Sequence, residues 1–318
     1  MPYDESVPPT RRRRSLLAAT ALAAVCLTAA GCGAGDVGDG TRAEPRQGGG
    51  GTSAPPPSKS APAPEKEKTS ASSTPSAKTS KPSKPSKPAG GGATGPLSGK
   101  TVVIDPGHNP NNHLHTGEIN RQVDIGTTHK ECDTTGTSTN SGYAEARFTL
   151  DVSHRLRTLL QQQGAKVVLT YDNDRAYGPC VDERARIGNE ARADAVVSVH
   201  ADGSAVGNRG FHVILPASVR GGKADTSKIV EPSRDLGTRI AGFFVRDTGS
   251  APSNYVGGNS GLDTRKDLGG LNLSTVPKVF IECGNMRDPK DAALLTSSGW
   301  RQKAAQGIAD GISSYLKG

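Results

Sequence analysis

The apolar run TVVID (Thr101–Asp105) is followed directly by Pro106-Gly107-His108. A short run of strand-forming residues that ends at a Pro-Gly turn is typical of a buried strand. Comparable runs occur at four later places: Lys166–Tyr171, Ala195–Val199, Gly210–Leu215 and Lys278–Cys283. The sequence therefore predicts five buried strands, of which Thr101–Asp105 is the first.

Amphipathic helical patterns separate these runs. The stretch Ala144–Gln163 repeats its apolar residues at helical spacing and is followed by Gly164, a residue that commonly ends helices. Three further stretches share the pattern: Val181–Arg192, Ser233–Asp247 and Gly299–Leu316. Strands that alternate with helices form parallel sheets covered on both faces. We therefore expect an α/β fold, with a mostly parallel twisted sheet flanked by helices on both faces in a single domain.

The chain divides into three parts by composition. Residues 98–318 hold the predicted strands and helices, whereas the 59 residues from Gly38 to Pro96 contain no Val, Ile, Leu, Met, Phe, Tyr, Trp or Cys. A segment without such residues cannot bury an apolar core. Residues 33–97 are therefore predicted to be a disordered Pro/Ser/Lys/Gly spacer. Residues 1–32 combine the basic Arg11–Arg14 with the apolar Leu16–Ala30, which is typical of an export signal.

The predicted export signal ends in AAGC (Ala29–Cys32), which resembles a bacterial lipobox. This pattern predicts lipidation of Cys32 and attachment of the exported protein to the membrane. Secretion without a lipid, or a short membrane anchor formed by Leu16–Ala30, are the alternatives. Prolines and repelling positive charges favour an extended spacer, whose reach would be on the order of 50 to 150 Å.

The net charge of +8 lies mainly outside the predicted domain. Residues 1–97 carry 13 Lys and Arg against 7 Asp and Glu, whereas residues 98–318 carry 26 against 24. A nucleic-acid-binding domain needs its basic residues on the folded part of the chain. The charge distribution therefore argues against nucleic acid as a partner.

Three cysteines fall within the predicted domain. Cys132 and Cys180 lie in polar, loop-like stretches, and Cys283 ends an apolar run. Because an exported domain permits disulfides, we expect Cys132 and Cys180 to pair and to restrain the loop before the Ala144–Gln163 helix. Cys283 is predicted to be a buried thiol.

Four polar residues are predicted to share one end of the sheet. His108 follows the first strand, and His200 ends the third. Glu282 lies near the end of the last strand, and Glu145 begins a helix. An isolated buried Glu282 would be interpreted as half of a structural ion pair, because burying a lone carboxylate is costly. Four such groups at the edge where α/β sheets bind ligands favour a functional site instead.

The chemistry of these four side chains suits zinc. Zn²⁺ often takes three nitrogen or oxygen ligands and leaves one position for water. We expect one Zn²⁺ ion held by His108, Glu145 and His200, with Glu282 as the catalytic base. Alternative ligands, His113 and His115, lie in the long polar stretch between residues 111 and 141.

The order of these motifs resembles that of the zinc-dependent type 3 N-acetylmuramoyl-L-alanine amidases. The motifs are DPGH (Asp105–His108), Glu145 at a helix start, SVHAD (Ser198–Asp202) and VFIECGN (Val279–Asn285). The resemblance extends from about Lys100 to Leu316, which would make residues 98–318 a catalytic domain. It implies hydrolysis of the amide between the lactyl group of MurNAc and L-alanine of the peptidoglycan stem peptide. It also implies the same three zinc ligands and the same catalytic glutamate.

Two further features bear on this resemblance. Arg184, in DERAR (Asp182–Arg186), falls where the family has an Arg-rich helix. Some members of the family carry a helical insert that plugs the active site. The corresponding segment Asn254–Ser274 is too short for a long plug, so we expect no strong self-inhibition.

Two other functions remain open. A zinc peptidase or carboxypeptidase acting on stem peptides would differ only in its product, and a non-catalytic wall-binding lipoprotein would differ by lacking catalysis. The sequence contains no G-x-S-x-G motif of a serine hydrolase and no Gly-rich loop in dinucleotide-binding form. We expect a monomer that binds peptidoglycan or muropeptides and faces the cell wall from the membrane.

Overall fold

The computed structural model describes residues 94–318. The predicted export signal, Cys32 and nearly all of the predicted spacer lie outside the described residues. The strands are β1 Thr101–Pro106, β2 Gln122–Asp124, β3 His129–Glu131, β4 Lys166–Leu169, β5 Ala195–Asp202, β6 His212–Pro216, β7 Arg220–Gly221, β8 Ala224–Asp225, β9 Leu262–Arg265 and β10 Lys278–Asn285. The helices are α1 Thr116–Ile119, α2 Glu145–Gln162, α3 Val181–Glu190, α4 Val230–Thr248, α5 Gly269–Asn272, α6 Pro289–Thr296 and α7 Ser298–Lys317. None of these helices, all within residues 94–318, is both long and apolar enough to cross a membrane.

Six strands form one sheet in the order β4-β1-β5-β10-β6-β9. Every neighbouring pair is parallel except β10 and β6. The predicted mostly parallel sheet is therefore confirmed, and all five predicted strands belong to it. The sixth strand, β9, was not predicted, because its sequence LDTR (Leu262–Arg265) has neither an apolar run nor a clear alternation.

The two faces of the sheet bury different residues of the same strands. On one face, Val197, Val199 and Ile281 join the large core that α2, α4 and α7 complete. On the other face, Val103 and Val196 pack in a smaller cluster with Ile187 of α3. Because alternate residues of a strand point to opposite faces, His200 and Glu282 belong to the face that also carries Val196. Helices cover both faces, as predicted.

A disulfide joins Cys132 and Cys180. It connects the loop after β3 to the residue directly before α3. The remaining cysteine of the described part, Cys283, is a buried free thiol.

Candidate metal centre

The carboxyl ends of β1, β5 and β10 meet at one edge of the sheet, and the predicted site lies there. His108 follows β1 by two residues, and His200 belongs to β5. Glu282 of β10 is the direct register partner of His200. Glu145 is the first residue of α2. The strand order therefore brings together residues that are far apart in the sequence.

Three of these side chains converge on one point. Oε1 of Glu145 lies 3.2 Å from Nε2 of His108 and 3.0 Å from Nδ1 of His200. Ligand atoms of all three residues lie within 4.8 Å of one another. Two imidazole nitrogens and one carboxylate oxygen form a donor set that Zn²⁺ commonly accepts, with a further position open to solvent or substrate. The residues present therefore fit a zinc ion.

The electrostatics of these three residues favour a bound positive charge. Burial alone would lower the pKa of His108, but the charges of Glu145 and Asp133 outweigh burial and raise it well above its usual value. Burial alone would raise the pKa of Glu145, but the two histidines hold it well below its usual range. A proton on His108 balances the Glu145 carboxylate, and a bound cation would replace that proton.

The turn after β1 brings its backbone against the His200 ring. A Cβ atom on Gly107 would lie 2.3 Å from Cε1 of His200, so any other residue there would displace the His200 ring. The next residue, His108, has a φ of 59°, in the left-handed region that side chains other than glycine rarely adopt. This conformation directs the imidazole of His108 toward Glu145.

The loop Asp133–Thr137 orients two of the three candidate ligands. Nδ1 of His108 donates to the carbonyl oxygen of Thr134 at 3.1 Å, which leaves Nε2 to face Glu145. The backbone N–H of Thr137 donates to Oε2 of Glu145 at 2.9 Å. Such second contacts fix the direction in which a ligand presents its lone pair.

Glu282 is the unsatisfied group of the site. Its Oε2 atom is enclosed and has no hydrogen-bond partner among the described residues. Burial, followed by the charges of Glu145 and Asp202, raises the pKa of Glu282 well above its usual value. A carboxyl group whose pKa is raised holds a proton more readily than an ordinary glutamate, which suits a group that accepts and returns one.

Two adjoining cavities open beside these residues. One has a volume of about 390 Å³ and is lined by all four of them. The second, of about 250 Å³, shares His108, Thr134, His200, Leu268 and Phe280 with the first and extends toward α3 and α5. Leu268 belongs to Asn254–Ser274, whose longest helix has only four residues and lies beside the cleft as part of its wall.

The alternative ligands lie outside the group of three. Nδ1 of His113 donates to the carbonyl oxygen of Pro110 at 2.9 Å. Nδ1 of His115 lies 3.3 Å from Oε1 of Glu118. Neither histidine belongs to the cluster formed by the three converging side chains.

A buried ion network beneath the site was not predicted. It consists of Asp105, Asp133, Arg184 and Lys278, all of which are at most 6% exposed. The sequence singles out Arg184, in DERAR, and places the charged Asp105 and Lys278 at the ends of two apolar runs, but neither feature shows that these residues pair.

Comparisons with known proteins identify the family of the chain. Residues 102–314 match the family described as N-acetylmuramoyl-L-alanine amidase. An N-acetylmuramoyl-L-alanine amidase of Mycobacterium tuberculosis is 41% identical over 225 residues, which cover 69% of this chain and 88% of that protein. The crystal structure of an amidase from Mycobacterium smegmatis is 39% identical, with a TM-score of 0.63 over 70% of this chain and 99% of the other. The crystal structure of the apo amidase from Mycobacterium abscessus is also 39% identical, with a TM-score of 0.63 over 69% of this chain and 100% of the other. The chain therefore belongs to the N-acetylmuramoyl-L-alanine amidase family.

Proposed function

We propose that this amidase depends on one Zn²⁺ ion held by His108, Glu145 and His200, with Glu282 as the catalytic acid and base. The observation that carries the proposal is the convergence of three ligand atoms within 4.8 Å of one another, beside a carboxyl group that has no partner. The substrate is peptidoglycan or a muropeptide. The bond broken is the amide between the MurNAc lactyl group and L-alanine of the stem peptide.

The residues divide the chemistry between them. A zinc ion held by His108, Glu145 and His200 would supply Lewis-acid chemistry, which lowers the pKa of bound water and polarises a carbonyl. Glu282 would accept a proton from the attacking water and return it to the nitrogen of the leaving L-alanine. This return matters because an amide nitrogen is a poor leaving group until it is protonated. Thr134 and Thr137 act through their backbone, by keeping His108 and Glu145 aimed at the centre.

The proposed location is the outer side of the cell membrane, facing the wall. A lipid on Cys32 anchors the protein, and the spacer extends the catalytic domain toward the peptidoglycan. Metabolic labelling with a fatty acid is then expected to mark the unmodified protein and to leave a Cys32→Ser variant unlabelled. Absence of label from the unmodified protein, or equal label in the variant, would contradict a lipid on Cys32.

Metal analysis tests the zinc assignment. The purified protein is expected to contain one zinc ion per chain, and His108→Ala, Glu145→Ala and His200→Ala are each expected to lose it. His154→Ala is the matched control, because His154 lies on α2 and pairs with Asp172 instead. Full zinc occupancy in any of the three site variants would remove that residue from the ligand set.

A further inference from the structure

Arg184 is a buried arginine whose hydrogen-bonding capacity is fully used. Its side chain is 6% exposed and forms ion pairs with two buried carboxylates, those of Asp105 and Asp133. Nε, Nη1 and Nη2 together donate five hydrogen bonds, one for each N–H of a guanidinium group. The acceptors are the side chains of Asp105 and Asp133 and the carbonyl oxygens of Pro106, His108 and Pro179.

Two of these five bonds hold the backbone on either side of Gly107. Nη1 donates to the carbonyl of Pro106, and Nη2 donates to that of His108 at 3.1 Å. Between them lie the glycine that packs against the His200 ring and the left-handed φ of His108. A strained conformation persists only where its surroundings hold it. Arg184 makes such contacts directly.

A third bond connects Arg184 to the imidazole of His108. Nη2 of Arg184 donates to Oδ2 of Asp133 at 2.9 Å, and Oδ1 of the same carboxylate lies 3.4 Å from Nδ1 of His108. Arg184 therefore contacts the backbone of His108 and, through Asp133, also restrains its ring. The disulfide reinforces this arrangement, because Cys132 precedes Asp133 and Cys180 precedes the helix that carries Arg184.

The network is electrically balanced without a contribution from the candidate ligands. Arg184 and Lys278 provide two positive charges, and Asp105 and Asp133 provide two negative ones, with Nζ of Lys278 3.1 Å from Asp105. A buried pair of this kind is by itself weak evidence of any role beyond folding. The specific observation here is that three of the five Arg184 bonds end on His108, on the residue two before it, or on the carboxylate beside its ring.

We propose that Arg184 is a positioning residue for the metal centre: it holds the left-handed turn at His108 and keeps Nδ1 turned to Thr134, so that Nε2 is presented to the metal. This inference rests on the proposed function for the identity of the metal. It assigns to Arg184 no contact with the substrate or with the reacting atoms.

The test compares two arginines that each pair with two buried carboxylates. Arg184→Lys keeps the positive charge but lacks the planar fork that makes five bonds. Arg209→Lys is the matched control, because Arg209 pairs with Asp288 and Asp291 and not with the site. In the purified full-length protein, Arg184→Lys is expected to weaken zinc binding about 10- to 100-fold in competition with a chromophoric chelator. Arg209→Lys is expected to bind zinc as the unmodified protein does.

Two additional measurements separate positioning from folding and from the metal assignment. If Arg184→Lys does not fold, Asp133→Asn replaces it, with the same expected loss of zinc affinity. Crystal structures of the metal-free proteins are expected to show the His108 ring turned away from the Thr134 carbonyl in the Arg184 variant and unchanged in the Arg209 variant. An unchanged His108 in Arg184→Lys, or unchanged zinc affinity, would overturn the positioning role. If the ring moves as expected but even the unmodified protein binds no zinc, the proposed metal fails while the positioning role stands.

Discussion

At the scale of single residues, the site is defined by which polar atoms have partners and which do not. Oxygens of Glu145 contact both histidines and the Thr137 backbone N–H. Oε2 of Glu282, which lies on β10, has no partner among the described residues. The satisfied carboxylate is therefore the proposed ligand, and the unsatisfied one is the proposed proton carrier.

Substitutions at Glu282 and His200 should separate turnover from metal binding. Glu282→Gln keeps the size of the side chain but cannot carry the proton, so turnover is expected to fall at least about 10²-fold while zinc content stays at one ion. His200→Ala removes a ligand and is expected to lose both zinc and turnover. Rates of peptidoglycan hydrolysis and zinc content, measured on the same preparations, check this. Near-normal turnover by Glu282→Gln would show that another group carries the proton.

Gly107 provides a test of the geometry of the site without any change of charge. In Gly107→Ala the new Cβ would lie 2.3 Å from the His200 ring, so the ring must move and zinc affinity is expected to fall at least about 10-fold. Gly117→Ala is the control, because a Cβ there would meet nothing within 4 Å. Chelator competition measures both variants. Equal zinc affinity in the two variants would mean that the His200 ring can shift without losing the metal.

At the scale of elements, each part of the site is delivered by the end of a different strand or helix. β1, β5 and β10 end at one edge, and α2 begins there with Glu145. The loop between β3 and α2 closes over them, and the disulfide fixes this loop to the start of α3. The precision of the site thus depends on how firmly these segments are joined.

The disulfide should contribute to stability and to the position of this loop. The variant Cys132→Ser/Cys180→Ser frees a long chain segment in the unfolded state, so it is expected to lose about 2 to 4 kcal/mol of unfolding free energy. Urea denaturation with and without reductant measures the loss. Reductant should destabilise the unmodified protein to a similar degree and leave the double variant unchanged. Equal stability of oxidised and reduced protein would show that packing alone holds the loop.

The elements with strong apolar periodicity were predictable from the sequence, and those without it were not. The runs at Thr101–Asp105 and Lys278–Cys283 and the helix from Ala144 match observed elements closely. The edge strand β9 and the helix α5 were not predicted. Each has only four residues, and neither has an apolar periodicity of its own.

The candidate ligands were predictable because they follow strands whose ends must meet at one sheet edge. The residues that orient them were not. Lys278 pairs with Asp105 across 173 positions of sequence, and Arg184 of α3 donates to Asp133 in the loop after β3. Long-range partners of this kind leave no local pattern, so only the three-dimensional arrangement reveals the role of Arg184 and of the Thr134 carbonyl.

At the scale of the whole molecule, the buried ion network joins the two halves of the sheet to α3. Asp105 is the last residue but one of β1, Lys278 begins β10, and Arg184 lies in α3. Burial alone would raise the pKa of Asp105, but the charges of Lys278 and Arg184 lower it well below its usual value. The carboxylate therefore adds stability to the folded protein that depends on pH.

The direction of this dependence follows from the depressed pKa. The contribution of Asp105 is fully present above its unfolded pKa, near pH 4, and is lost as the pH falls through the lower folded value. Asp105→Asn is expected to cost about 3 to 5 kcal/mol at pH 7, and this cost should shrink below about pH 4. Asp235→Asn is the control, since its exposed pair with Arg239 should be worth under about 1 kcal/mol. Urea denaturation from pH 7 to pH 3 checks both. A cost for Asp105→Asn that stays constant with pH would contradict the ionised network.

The most direct test of the central claim is identification of the products released from peptidoglycan by the purified protein. The digestion is run with the protein alone, after chelation, and after zinc is added back, with Glu282→Gln as the inactive control. Mass spectrometry is expected to find free stem peptides beginning at L-alanine, lost on chelation and restored by zinc. Sugar-linked peptides shortened from their other end would instead indicate a zinc peptidase. Stem peptides released at an unchanged rate after complete removal of the metal would contradict the zinc-dependent mechanism.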